Sequence, residues 1–127
     1  MKCSWMYTGS DGRSHFADLE IPDSFVGPPE PGFVPAMGVQ FRDWKSRFHK
    51  PEFHYSHHGR ALVMMMMGIA EYECGDGTKR RIGPGEVLLL DDTTGEGHIV
   101  HEISDMRRLA IVALPADLDI AKWQVKR

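Results

Sequence analysis

Residues 60–73 read RALVMMMMGIAEYE, and this stretch decides the fold class. It is apolar for too long to be one half-buried strand, whose side chains would alternate between core and water. Two strands with both faces covered fit it, divided at Gly68, which marks a bend, a bulge or a close approach. The chain downstream is punctuated as a series of short strands. Cys74-Gly75-Asp76-Gly77-Thr78 predicts a hairpin turn, because Asp-Gly supplies the positive φ such turns require. Lys79 to Ile82 then leads to a second tight turn at Gly83-Pro84-Gly85. Glu86 to Leu90 reads as a strand, 91–97 as a polar loop, and His98 to Ile103 as a strand. Arg108 to Leu114 is a last strong strand, ended by Pro115. Residues 116–123 predict one or two amphipathic helical turns or an edge strand.

Upstream, Val39 to Arg47 predicts a strand running into a loop, with Phe41 and Trp44 buried. Trp5 to Ile21 contains a Gly-Ser-Asp-Gly turn and short strand candidates around Phe16, Leu19 and Ile21, with imperfect alternation. Between Ile21 and Pro35 stand five of the eight prolines. Proline fixes φ and removes a donor, so this segment is neither a central strand nor a helix, and an extended arm is expected. The chain is therefore read as one domain over 1–127 with an extended N-terminal arm over about residues 1–38.

Composition supports the same class and excludes others. At 127 residues, with 42% hydrophobic and 26% charged side chains, the chain fits one globular domain. Thirteen glycines make turns frequent. A net charge of −3 provides no basic field for nucleic acid or anionic lipid. The first residues lack the apolar core of a signal peptide, and no apolar run approaches the roughly 18 residues of a spanning helix. A cytoplasmic location is expected. Cys3 and Cys74 form no CxxC pair and read as reduced thiols. Neither a P-loop, a dinucleotide fingerprint nor a Gly-x-Ser-x-Gly elbow is present. Short strands separated by Gly, Pro and Asp turns predict an all-β sandwich or barrel.

The histidines carry the candidate chemistry. His54, His57 and His58 fall within five positions, and His98 and His101 follow about forty residues on. Imidazoles converging from separate strands can hold a transition metal. In an extended segment Tyr55, His57 and Gly59 share one face, and His54, Ser56 and His58 the other. His98, Val100 and Glu102 likewise share a face, with His101 pointing away. A bulge near Gly59 would bring His54 or His58 inward instead. Met64 to Met67 places two methionines on each face, as packing or as the wall of a small apolar pocket. Asp91 and Asp92 point apart, and Asp92-Thr93 reads as a loop-ordering motif. Lys79-Arg80-Arg81 reads as decoration of an exposed strand, with a substrate-carboxylate anchor as the other reading.

The stretch YECGDGTKRRIGPGEVLLLDDTTGEGH, residues 72–98, resembles the middle of a cupin domain. Pro84-Gly85 supplies the turn, Glu86 to Leu90 the strand, and Gly95-Glu96-Gly97-His98 the end of the second cupin motif. Thr93 stands at that motif's proline and Glu102 at its asparagine. Counting back from Gly68 through the first motif places Ala61 at the metal-binding Glu, His57 at the second His and Tyr55 at the first. Tyr7-Thr8-Gly9-Ser10-Asp11-Gly12-Arg13-Ser14-His15-Phe16 and the Asp92 to His98 segment are also similar to a group of small single-domain cupins.

The resemblance implies a cupin-type jelly-roll β-barrel and a divalent metal (Zn, Fe, Ni or Mn) held by His57 and His98 and completed by His54 or His58. Its function would be that of a metal-assisted isomerase, epimerase, cyclase or dehydratase acting on a small carbonyl compound, with Tyr55 or His98 moving the proton. The alternatives are an iron-dependent dioxygenase, a non-catalytic small-molecule-binding cupin, and a structural cupin whose site has decayed, the last favoured by Ala61. No nucleic acid or membrane partner is expected. A homodimer is expected, because the proline-rich arm from Pro22 to Pro35 is too long for a loop in so small a barrel.

Overall fold

A computed structural model of the chain describes residues 1–22, 32–45, 51–56 and 59–125. The described residues form nine strands: β1 (Lys2–Thr8), β2 (Ser14–Glu20), β3 (Gly38–Lys45), β4 (Ala61–Met67), β5 (Ala70–Cys74), β6 (Lys79–Ile82), β7 (Val87–Asp91), β8 (His98–Glu102) and β9 (Met106–Ala113). Six of them build one sheet in the order β2-β1-β7-β4-β9-β3, and three build a second in the order β6-β5-β8. The chain is thus all-β. Among the described residues the expected closure into a barrel is not made: the ladders form two separate sheets.

The deciding stretch divides as its apolar length requires. β4 lies within the large sheet and β5 within the small one, and Gly68 between them has φ +85°. A Cβ there would lie 2.2 Å from the Met106 carbonyl oxygen, so the crossing from one sheet to the other needs glycine. The methionine run does not alternate cleanly, because the β4–β9 register slips between Met65 and Met67. Met65 is buried between the sheets, whereas Met66 and Met67 emerge into solvent. The hairpin forms at Cys74–Thr78, closed by Cys74 N–H donating to the Thr78 carbonyl at 2.9 Å.

Two findings depart from the sequence reading. Residues 2–20 are not part of an arm: β1 sits inside the large sheet, antiparallel to β2 and parallel to β7. Parallel pairing joins segments more than eighty residues apart, and no local pattern announces it. Phe41 is exposed, because β3 is the sheet's edge and nothing among the described residues covers its outer face. Most of the proline-rich segment, residues 23–31, lies outside the described residues.

Alternation on the large sheet creates two cores. Met6, Ala61, Val63, Met65, Leu88, Leu109 and Ile111 face the small sheet and pack with its Ala70, Tyr72, Cys74, Ile82 and Val100. Cys3, Leu19, Val87 and Leu89 face outward and are covered by Leu114, Ile120 and Trp123 of the C-terminal segment. That segment ends in a single 3-10 turn, Ala121–Trp123. Arg60 clamps it to the sheet, donating to Asp91 at 2.9 Å and to the Leu118 carbonyl at 2.6 Å. Both cysteines are free and buried, one in each core, and desolvation pushes their thiols up to about 11 for Cys3 and about 12 for Cys74. No helix among the described residues is long and apolar enough to cross a membrane.

Candidate functional site

The inner core turns polar where β8 begins. His98, 2% exposed, and Asp92, fully buried, lie there side by side. The alternation of β7 explains the partnership. Its last residue, Asp91, points outward to the Trp5 indole N–H and Arg60. The next residue, Asp92, points inward, and its Oδ2 accepts a hydrogen bond from His98 Nδ1. Asp92 Oδ1 is buried with no hydrogen-bond partner among the described residues. The intervening loop turns through Gly95 (φ +74°) and Gly97 (φ +78°), which lets a carboxylate six residues before a histidine fold back onto it.

This contact sets the chemistry of the ring. A carboxylate accepts only, so His98 Nδ1 carries the proton in the neutral ring and Nε2 presents a lone pair. Nε2 makes no hydrogen bond among the described residues. A buried imidazole with one nitrogen fixed by a carboxylate and the other bare is an oriented base or an oriented metal ligand.

His54 completes the first rank of residues. It pairs with β8 through an isolated antiparallel bridge, donating its N–H to the His98 carbonyl at 2.9 Å and accepting the His98 N–H at 2.8 Å. Directly opposed residues share a face, so the two rings meet, with centroids 4.6 Å apart at 55°. A Cβ at Gly97 would lie 1.9 Å from the His54 carbonyl oxygen, so glycine is what admits this segment to the edge of β8. His54 Nδ1 donates to the Glu52 carbonyl at 3.1 Å.

The bridge reverses the face expected by counting back from Gly68. His54 shares the inner face with His98, and Tyr55 turns to the other side and is 47% exposed. His57 and His58 lie outside the described residues. His101 is on the outer face of the small sheet, its Nε2 2.9 Å from Glu73. The basic run is paired: Arg80 with Asp18 at 2.8 Å and Arg81 with Glu71 at 3.2 Å. Among the described residues no three His, Cys, Asp or Glu side chains converge as a metal site.

Further along the same interior, Arg107 donates to both oxygens of Glu102, at 2.9 and 2.7 Å, and to the Tyr72 hydroxyl at 3.4 Å. Burial raises the Tyr72 phenol above its ordinary value, although Arg107 pulls the other way. The Tyr72 ring stands 6.0 Å from His98. The interior thus holds two polar units, an oriented imidazole and a neutralised ion pair. Sequence reading missed Asp92 as the partner of His98; the signal was an acidic residue at a strand end six positions before a His, with two glycines between.

A scan against protein-family models and a search of the curated proteins match this chain to nothing.

Proposed function

We propose that this chain is a small-molecule enzyme of the cupin type, its two facing sheets a jelly roll, which moves a proton on a carbonyl compound through His98. The observation that carries the reading is the buried Asp92–His98 contact. The Nε2 lone pair takes the proton from a carbon beside the carbonyl, the C–H electron pair forms the new C=C bond, and the C=O π pair moves onto oxygen to give an enolate. Asp92 balances the imidazolium that forms and holds the ring in place. Return of the proton to a different carbon, or to the other face of the same carbon, gives an isomer or epimer. General acid–base transfer of this kind is worth about 10²–10⁴ in rate.

A divalent metal is the second reading, favoured by two imidazoles in contact that each have Nδ1 occupied by an oxygen acceptor. His54 and His98 would hold it with His57 or His58, and it would supply a Lewis acid for the carbonyl oxygen.

The test is deuterium uptake into small ketones and 2-oxo acids in D2O, followed by proton NMR. The reading expects catalysed exchange that falls about 10²–10⁴-fold in His98→Gln and Asp92→Asn. Equal exchange by wild type and His98→Gln would remove it. Titration with Zn²⁺ or Ni²⁺ separates the metal reading, which expects stoichiometric uptake by wild type and loss of it in His98→Gln.

A further inference from the structure

His15 is held on both sides. Its Nε2 lies 3.0 Å from both carboxylate oxygens of Asp11, in the β1–β2 turn. Its Nδ1 lies 3.0 Å from Asp76 Oδ2, in the β5–β6 hairpin. The third neighbour is Tyr7 on β1, its ring stacked with centroids 5.7 Å apart. Two carboxylates accept and do not donate, so both contacts are hydrogen bonds only when the ring is an imidazolium. A neutral ring offers one N–H and turns a lone pair toward the other carboxylate. The hydrogen bond from His15 to Asp11 is the main cause that raises the imidazole above its ordinary value.

The β1–β2 turn holds the loop between Asp92 and His98 directly, and the hairpin reaches that loop through Ser14 at the start of β2. From the turn, Thr8 donates to the Thr94 carbonyl at 3.1 Å, and Gly95 passes so close to Gly12 that a Cβ would lie 2.4 Å from its oxygen. From the hairpin, Gly75 N–H donates to Ser14 Oγ at 2.7 Å, and Ser14 Oγ donates to the Gly97 carbonyl at 2.7 Å. Asp76 N–H donates to the Ser14 carbonyl at 3.2 Å, which brings the hairpin directly to the residue before His15. Gly9 leaves the room that lets the ring reach Asp11, since a Cβ there would lie 2.7 Å from the His15 ring.

We propose that His15 is a positioning residue for the Asp92–His98 pair: as an imidazolium it latches the β1–β2 turn to the β5–β6 hairpin and so fixes the 92–98 loop, which the turn holds directly and the hairpin holds through Ser14. Its role in catalysis rests on the proton-transfer reading of His98; the latch itself does not. As pH rises through the folded pKa of His15, one arm of the latch is lost and the loop loosens.

The experiment is an NMR titration of the full chain from about pH 5 to pH 8, following the His15 ring and the Thr94 and Gly97 amides. The proposal expects a His15 midpoint above the ordinary value of about 6.5, with both loop amides shifting at that same midpoint. Asp76→Asn keeps an oxygen for the Thr78 N–H but removes the charge. It should lower the midpoint and abolish the response of Gly97. Loop amides that stay flat while His15 titrates, or a midpoint at or below the ordinary value, would overturn the latch. The deuterium-exchange assay on the same samples separates the two readings. Coupled loop amides with no His98-dependent exchange leave the latch standing and remove the proposed function. Exchange that persists unchanged in Asp76→Asn across the pH range removes the positioning role of His15 and leaves the function.

Discussion

Leu88 and Leu89 are neighbours on β7, both fully buried, and they belong to different cores. Leu89 enters the outer core, where the C-terminal segment lies on the sheet and the Arg60–Asp91 pair, both partly exposed, holds it at the rim. Leu88 enters the inner core, which also contains His98, Asp92, Arg107 and Glu102 within the same two-sheet interior. Buried polar groups cost stability unless paired, and an apolar core of the same shape would be at least as stable. The outer core has the composition that folding alone demands. The inner one carries fully buried ionisable groups as well, and the proposed function is placed on them.

The largest expected effect breaks the comparison chemically. Asp92→Asn should lower His98-dependent turnover about 10²–10⁴-fold while the protein still folds, measured as exchange rate against a circular dichroism melt. Leu89→Ala in the outer core should do the reverse, costing about 2–5 kcal/mol in urea unfolding with turnover per folded molecule unchanged. Leu88→Ala should cost a similar amount but also disturb turnover, because it opens space in the polar interior. Ser14→Ala leaves the buried Gly97 carbonyl and Gly75 N–H without their shared partner, and should cost about 1–3 kcal/mol with a partial loss of turnover.

The smallest effect is at the rim. The Arg108 guanidinium, hydrogen-bonded to Asp43 at 2.8 and 3.1 Å, holds that carboxyl below its ordinary value. A depressed carboxyl contributes stability above its unfolded pKa and loses it as pH falls through the folded value. Arg108→Gln should therefore flatten the acid limb of the stability profile slightly and leave the neutral region and the site unchanged.

The strands and turns were easier to read from sequence than the polar contacts between them. The apolar stretch 60–73, the Asp76-Gly77 hairpin and the Gly83-Pro84-Gly85 turn announce strands and their ends through local chemistry, and the strands formed within a residue or two of expectation. His98 stood out because a glycine-rich loop delivers it to a strand start. Asp92 did not, since its role depends on the backbone reversing at Gly95 and Gly97, and an Asp-Thr pair is locally an ordinary turn signal. The facing of His54 was also hidden, because period-two alternation gives two phases and only the bridge to His98 selects one. The parallel pairing of β1 with β7 has no sequence signature at all.

The central claim is that Asp92 fixes His98 with its proton on Nδ1 and a bare Nε2. Nitrogen-15 NMR of the histidine rings measures this directly, without a substrate. In mildly alkaline solution the account predicts a protonated Nδ1 and an unprotonated Nε2 for His98, with that preference lost in Asp92→Asn. A proton on Nε2 with Nδ1 bare in the wild-type protein would contradict it.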